Sequence, residues 1–290
     1  YMSYGYFNDE GAMVNSGSYK HSIAGNIRAK LSKRLTIGGR VNYDYVNTTG
    51  AGVAGNGTNE GGSNVDARFN KLTQILQYRP IIGFRGDDAD LLAGYDPILD
   101  TNNDQLVNPV LAAESERDDR RQRTFSASVN INFNLGKGWT FRNTTGMRHQ
   151  TYDRELFFGS QSIMGKREGV HGSVSDSQNS SFSISNVISY DKRLNKKNRI
   201  TFQVGQEYVA RTAKSHTASV KNLPNDDFGL DDMGIGTPSA ITSSFNDDDK
   251  LLSFFARVNY DFSSRYLVSA TFRADGSYKF APHNLSLIHI

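Results

Sequence analysis

The chain has 290 residues, enough for one large all-β domain or two small ones, and its formal net charge of +3 gives no indication of a nucleic-acid partner. No stretch approaches the roughly 18 apolar residues of a membrane helix, so helical spanning is excluded, whereas a membrane β-barrel stays possible because its strands are half polar. The chain has no cysteine, and disulfides and thiolate metal sites are therefore excluded.

About eight segments of the chain alternate between apolar and polar residues. A period of two is typical of a strand with one apolar and one polar face. In TFSASVNINFNL, residues 124–135, every second residue from Phe125 to Leu135 is apolar, and the residues between them are Ser or Asn. The predicted strands are Tyr19–Ala29, Arg34–Asn47, Arg123–Leu135, Trp139–Tyr152, Ser180–Lys192, Arg199–Arg211, Leu251–Phe262 and Tyr266–Asp275.

Short and long connections alternate between these strands. The turns that close four hairpins are residues 30–33, 136–138, 193–198 and 263–265. The connections between the hairpins are residues 48–122, 153–179 and 212–250. Outer-membrane barrels have short periplasmic turns and long external loops, and their strands need roughly 9–11 residues to cross a bilayer. The pattern predicts a membrane barrel, with a soluble sandwich that buries its aromatic residues as the alternative.

In such a barrel the apolar face contacts lipid and the polar face lines an aqueous or plugged lumen. Charged side chains are costly toward lipid, so the charges of the last two strands should also point into the lumen. The predicted lumen-facing residues are Ser126, Ser128, Asn130, Asn132, Asn134, Arg257, Asn259, Arg273 and Asp275.

Motifs for cofactors and catalysis are weak. GAGVAG, residues 50–55, matches a dinucleotide fingerprint, but no helix former follows it, and a flexible loop is predicted. Asp100, Asn102 and Asp104 have the spacing of a calcium loop, although Gln105 and Leu111 replace its Gly and Glu, so a weak Ca²⁺ hypothesis stands beside an Asx-rich turn. No other cofactor is indicated, and no catalytic motif argues for an enzyme.

The C-terminal part of the chain carries a family resemblance. YLVSATFRADGSYKFAP, residues 266–282, resembles the R-x-D-G-S-x-[KR]-F signature that follows an aromatic-rich strand in SusC/RagA-type TonB-dependent transporters of Bacteroidetes. FARVNYDFSSRYL, residues 255–267, and KLSKRLTIGGRVNY, residues 30–43, are similar to barrel hairpins of that family. Two departures are Tyr278, where the family usually has a small residue, and the ending HNLSLIHI, residues 283–290.

The resemblance implies an all-β fold, in which residues 1–290 are about eight strands of a transmembrane barrel of about 22. The plug domain, the TonB box and the C-terminal strands are expected to be missing, and residues 283–290 are expected to be a foreign or truncated tail. The implied activity is TonB-dependent import of large nutrients across the outer membrane of a Gram-negative bacterium, as in polysaccharide utilisation. The implied partners are TonB, membrane lipid and a SusD-like surface lipoprotein that acts as a lid.

One helical pattern, Asn64–Tyr78, lies in the longest predicted loop. Phe69, Leu72 and Leu76 share its apolar face, and Pro80 ends it. The helix either packs the loop onto the barrel rim or forms a docking surface for the lipoprotein lid.

Several functional alternatives stay open. Oligosaccharides are favoured as cargo over peptides on the strength of the resemblance alone. A passive outer-membrane porin or an adhesin would have the same alternating strands but no plug domain. A soluble sugar-binding β-protein is the third alternative.

Overall fold

The structure, a computed structural model of the chain, describes residues 1–50, 75–76, 109–279 and 286–289. In this part of the chain ten strands form one antiparallel sheet, and each strand pairs with its neighbours in sequence. The strands are β1 (Met2–Glu10), β2 (Gly17–Lys30), β3 (Leu35–Thr49), β4 (Glu116–Gly136), β5 (Trp139–Phe158), β6 (His171–Arg193), β7 (Asn198–Lys221), β8 (Thr237–Phe262), β9 (Tyr266–Ser277) and β10 (Ser286–His289). The predicted all-β antiparallel wall is confirmed.

The predicted strands are present, but β4 to β8 are much longer than the apolar alternation indicates. β4 has 21 residues and β8 has 26, so most of the residues predicted as loops at 153–179 and 212–250 continue the strands. The sequence ERDDRRQ, residues 116–122, is polar on both faces, and the apolar period therefore disappears while the backbone ladder goes on. The connections that remain are residues 159–170 and 222–236.

The sequence reading missed β1 and β10. On β1, Tyr4 and Tyr6 lie on one face opposite Ile23 and His21, but Phe7 on the other face interrupts the alternation. β10 pairs with the end of β9, with Ser286 opposite Gly276. That residues 283–290 are a foreign or truncated tail stays a prediction.

The helices lie at the end of the sheet opposite the short turns. They are α1 (Pro109–Ser115), α2 (Ile163–Glu168) and a 3₁₀ turn at Met233–Ile235. The predicted helix at residues 64–78 falls mostly outside the described residues, although Ile75 and Leu76 are helical. Among the described residues no helix is long and apolar enough to cross a bilayer.

The strand register separates an apolar face from a polar face. Directly paired residues of adjacent strands lie on the same face, and Ile37 pairs with Ile131 just as Val204 pairs with Ala256. Large side chains on the apolar face are exposed, such as Val41 at 49% and Phe254 at 54%. Contiguous exposed apolar surface of this kind marks a contact with lipid or protein, as predicted for a barrel wall.

Aromatic rings border the apolar face at both ends. Near the short turns the Trp139 and Tyr190 rings lie 4.7 Å apart. Near the other end, Tyr19 and Tyr45 lie 5.9 Å apart beside the ring of His21. On β3 the apolar stretch from Leu35 to Tyr45 is close to the roughly 9–11 residues that a strand needs to cross a bilayer. Two aromatic borders at that spacing are typical of interfacial girdles.

Amide side chains interrupt the apolar face in the middle of the sheet. Asn143, Asn186 and Gln206 are direct cross-strand neighbours on β5, β6 and β7. Asn143 Nδ2 donates to Asn186 Oδ1 at 2.8 Å, and Asn186 Nδ2 donates to Gln206 Oε1 at 3.1 Å. We call these three residues the amide row. Their mutual hydrogen bonds lower the cost of placing polar groups in apolar surroundings.

Replacing Asn186, the central residue of the amide row, should destabilise the protein more than replacing all three residues of the row. Asn186→Leu leaves Asn143 without its acceptor and Gln206 without its donor, at a cost of about 1–3 kcal/mol. Changing all three residues to Leu removes both of these bonds together and deprives only the hydroxyl of Thr145 of its acceptor, Asn143 Oδ1 at 3.1 Å, so it should cost less. Guanidinium unfolding midpoints of the full-length protein in detergent measure both, and a triple variant less stable than Asn186→Leu would contradict this account.

Candidate functional site

The candidate site is the polar face of β2 to β9, here called the polar wall. Ser126 pairs with Asn42 on one side and Arg148 on the other, and Arg257 pairs with Thr271. The sequence-predicted site residues on β4, β8 and β9 all lie on this one face of the sheet: Ser126, Ser128, Asn130, Asn132, Asn134, Arg257, Asn259, Arg273 and Asp275.

The asparagines of β4 hold neighbouring side chains in place. Asn130 Oδ1 accepts a hydrogen bond from Thr144 Oγ1 at 3.2 Å, and Asn132 Oδ1 accepts one from Arg142 Nε at 3.1 Å. Asn134 Oδ1 accepts from the backbone N–H of Gly136 at 2.9 Å, so its side chain fixes the β4–β5 turn. Asn130 and Asn132 therefore form part of a hydrogen-bonded surface, while Asn134 has a local structural role.

Arg273 is neutralised on the polar wall by two carboxylates. Its Nε donates to Asp275 Oδ1 at 2.8 Å, and its Nη2 donates to Glu207 Oε2 at 3.1 Å. The guanidinium also lies 6.0 Å from the centre of the Phe255 ring. That ring lies across Gly205, where a Cβ atom would come within 2.1 Å of it. Glu207 and Phe255 were missed from the sequence because their approach depends on the register of β7, β8 and β9.

A second part of the polar wall combines arginines with very short side chains. Two cavities of about 350 and 250 Å³ share Arg148 and Ser181 in their linings. We call this region the arginine groove. Its rim is Arg40, Arg148 and Arg211, with the carboxylate of Asp249 beside Arg211, and its floor is Ser126, Ser128, Gly146, Ser181 and Ser183. The alternation on β5 and β6 could have placed Arg148 and Ser181 on polar faces, but not beside each other.

A buried carboxylate lies on the polar wall beyond the predicted membrane-spanning segment of β4. Asp118 is 4% exposed and accepts two hydrogen bonds from Arg154, at 2.9 and 3.0 Å, and two from Arg120. Burial acts to raise the pKa of Asp118, but the hydrogen bonds from Arg120 and Arg154 outweigh it, and the pKa lies below its ordinary value. Asp118 thereby neutralises two arginines that are direct cross-strand neighbours.

The connections at this end of the sheet pack into a small apolar core. Its buried members are Phe157, Val170, Val220, Leu223 and Leu230. Asp226 fastens the same connections, because it accepts from the backbone N–H of Ser160 at 2.9 Å and from Ser115 Oγ at 3.4 Å. The resulting rim still exposes large apolar side chains, with Phe228 at 56% and Ile241 at 82%.

Some predicted site residues lie outside the described part of the chain. These are the possible calcium ligands Asp100, Asn102 and Asp104, the helix residues Phe69 and Leu72, and most of the glycine-rich motif that begins at Gly50. Leu76 is described, and it is 75% exposed. Within the described ranges no group of three or more His, Cys, Asp or Glu residues could hold a metal ion.

Comparisons with known proteins agree with this geometry, although no family model matches the chain. It is 25% identical to TonB-dependent receptor P26 of Formosa agariphila over 98% of this chain and 27% of that protein. TonB-dependent receptor P3 of the same organism is 24% identical over the same shares. The solved RagAB peptide transporter superposes with a TM-score of 0.70 at 17% identity, covering 99% of this chain and 31% of that one.

The chain thus spans about a quarter of the length of the curated relatives that it matches. The structural likeness shows the fold, which is part of a TonB-dependent receptor barrel. These comparisons confirm the resemblance that the sequence carries at residues 266–282.

Removing the charge of Asp118 should destabilise the rim of the wall. Asp118→Asn leaves Arg120 and Arg154 opposed, and we expect a loss of about 2–3 kcal/mol, less than for a fully buried pair because both arginines are partly exposed. Since the folded pKa is lowered, the wild-type advantage is full at neutral pH and disappears as the pH falls below about 4.

Unfolding midpoints between pH 3 and pH 7 measure this advantage. The matched control is Asp119→Asn, the same change one residue along on the opposite face, where the nearest arginine nitrogen lies 4.0 Å away. Equal losses in the two variants, or a difference that does not depend on pH, would contradict the assigned role of Asp118.

Proposed function

We propose, from the premise that this chain is a barrel segment of a SusC/RagA-type TonB-dependent transporter, that the whole protein imports large nutrients across the outer membrane of a Gram-negative bacterium. The observation that carries the proposal is the two-faced wall. It presents exposed apolar residues on one face and a continuous hydrogen-bonded polar surface on the other, as a water-filled membrane barrel requires.

In this proposal the apolar face contacts lipid and the polar wall lines the lumen. Ser126, Ser128 and Asn130 on β4 would form part of the wet surface along which cargo passes, and Arg257 and Asn259 on β8, four strands away, would form another part. Arg257 Nε donates to Asn259 Oδ1 at 3.2 Å, so this pair presents fixed polar groups. A plug domain and a TonB contact, in parts of the protein other than these 290 residues, would couple import to the proton gradient of the inner membrane.

A SusD-like surface lipoprotein is the proposed lid at the rim. Two large side chains support a docking surface there, because Phe228 and Ile241 are 56% and 82% exposed. Apolar side chains that remain exposed on a packed rim are typical of protein contacts. Phe69 and Leu72, which the sequence predicts to contact the lid, belong to the same proposal.

Oligosaccharides are the proposed cargo, and peptides are the second candidate. The family resemblance of residues 266–282 supports oligosaccharides. The likeness to the RagAB peptide transporter supports peptides. A Ca²⁺ ion held by Asp100, Asn102 and Asp104 is a further, separate proposal from the spacing of those residues.

Uptake in the source organism tests the import proposal. The full-length protein, tagged at its C-terminus, should be found in the outer-membrane fraction, and deletion of its gene should abolish uptake of at least one member of a panel of fluorescent oligosaccharides and peptides. A protonophore should abolish the same uptake. Uptake that resists the protonophore would indicate a porin, unchanged uptake in the deletion strain would favour an adhesin, and a soluble product would refute the barrel.

Negative charges introduced at the rim should prevent the lipoprotein lid from binding. The double variant Phe228→Asp/Ile241→Asp puts carboxylates where the lid is proposed to bury apolar surface. We expect a surface lipoprotein to copurify with the wild-type protein and to be lost from the double variant. Leu194→Asp is the control, since Leu194 is 57% exposed but lies in the turn at the opposite end of the sheet. Undiminished copurification from the double variant would exclude this docking surface.

A further inference from the structure

The polar wall carries arginines that no carboxylate neutralises. Arg273 and Arg199 pair with acidic groups, Arg199 at 2.6 Å from Asp191. Among the described residues, in contrast, Arg40, Arg142 and Arg148 have no carboxylate oxygen within 4.0 Å. Within the described ranges, Arg142 and Arg148 donate to the amide oxygens of Asn132 and Gln150, respectively, both at 3.1 Å. Arg148 has a longer-range attraction to Asp44, but Asp44 is already paired with Lys20 at 3.1 Å, so most of the positive charge is available to another molecule in front of the wall.

Two of these arginines lie on the rim of the arginine groove, together with Arg211. Arg148 and Arg211 face the same residue, Ser181, from the two strands on either side of it. Because neighbouring strands are about 4.8 Å apart, the Cα atoms of these two arginines are separated by roughly 10 Å. Arg211 has a carboxylate partner, Asp249, only at 3.4 Å and is itself 64% exposed. The groove thus presents three cationic side chains, and this arrangement can bind successive anionic groups of one linear molecule.

The floor of the groove is formed by serine and glycine, whose side chains are very short. Arg40 lies on β3 in the same cross-strand row as Ser128, Gly146 and Ser183. A Cβ atom at Gly146 would come within 3.2 Å of Ser183 Oγ, so even an alanine would crowd the floor. Short side chains between long arginines leave the two cavities of about 350 and 250 Å³, which share Arg148 and Ser181 in their linings. This is space for an extended chain that lies flat on the wall.

We propose that the arginine groove binds carboxylate or sulfate groups of an acidic oligosaccharide, a narrower cargo class that rests on the proposed import function. Guanidinium groups bind both anions through paired charge-assisted hydrogen bonds. The serine hydroxyls of the floor and the amide of Asn42 can donate to and accept from sugar hydroxyls. A peptide that binds as an added strand would need pockets for alternate side chains, and the described floor has Ser and Gly in their place.

Binding of charged and neutral glucans of equal size tests the groove. The probes are a dextran sulfate oligomer and a dextran oligomer of the same length, titrated calorimetrically into the full-length protein in detergent at low salt. Wild type should bind the sulfated oligomer at least about tenfold more tightly than dextran, and Arg40→Gln/Arg148→Gln should remove most of that difference. Ser128→Leu, which fills the floor without changing charge, should weaken binding as well.

Arg142→Gln is the matched control. It removes the same charge from the same face of β5, about 20 Å closer to the short turn and outside both cavities, and it should leave binding unchanged. Equal binding of the two oligomers by wild type, or no binding of either, would overturn the proposal. So would a double variant that loses thermal stability but keeps its selectivity, which would assign the arginines to a protein contact such as a plug. Protonophore-sensitive uptake is measured separately, so that the import proposal can stand if this one fails.

Discussion

The structure depends on one constraint: the backbone of a wall that meets lipid must satisfy its hydrogen bonds within the sheet. Between β1 and β10 the described strands do so through an unbroken series of antiparallel neighbours. Once that register is fixed, the two-residue period sends alternate side chains to opposite faces. The apolar band, the polar wall and every cross-strand contact described above follow from this single ladder.

The polar side chains that this ladder brings together fall into three different arrangements. The amide row satisfies itself on the apolar face through Asn186, and Asp118 balances two arginines at the rim. In the arginine groove, by contrast, Arg40 and Arg148 form no salt bridge within 4.0 Å among the described residues, and Arg148 has only a longer-range attraction to Asp44. The first two arrangements contribute to stability. The third leaves charge unused by the fold, which is why we assign it to a ligand.

The sequence predicted the hairpins of the wall but not the contacts between them. The alternation from Phe125 to Leu135 identified both faces of β4, and the short turns gave its pairing with β5. The pairing of β3 with β4 joins Arg40 to Ser128 across a long intervening segment, and no local pattern fixes that register. The extensions around Asp118 and Arg154 were missed because both of their faces are polar, so that the hydrophobic period carries no signal there.

The central claim is that β4 has one face in lipid and the other in water. Because these 290 residues contain no cysteine, single cysteines can be introduced at residues 126–134 of the full-length protein, freed of any other cysteine, and spin-labelled in lipid bilayers. The account predicts that labels at Ala127, Val129 and Ile131 collide mainly with oxygen, and labels at Ser128 and Asn130 mainly with a water-soluble nickel complex. Accessibility without a two-residue period, or water access at every position, would contradict it.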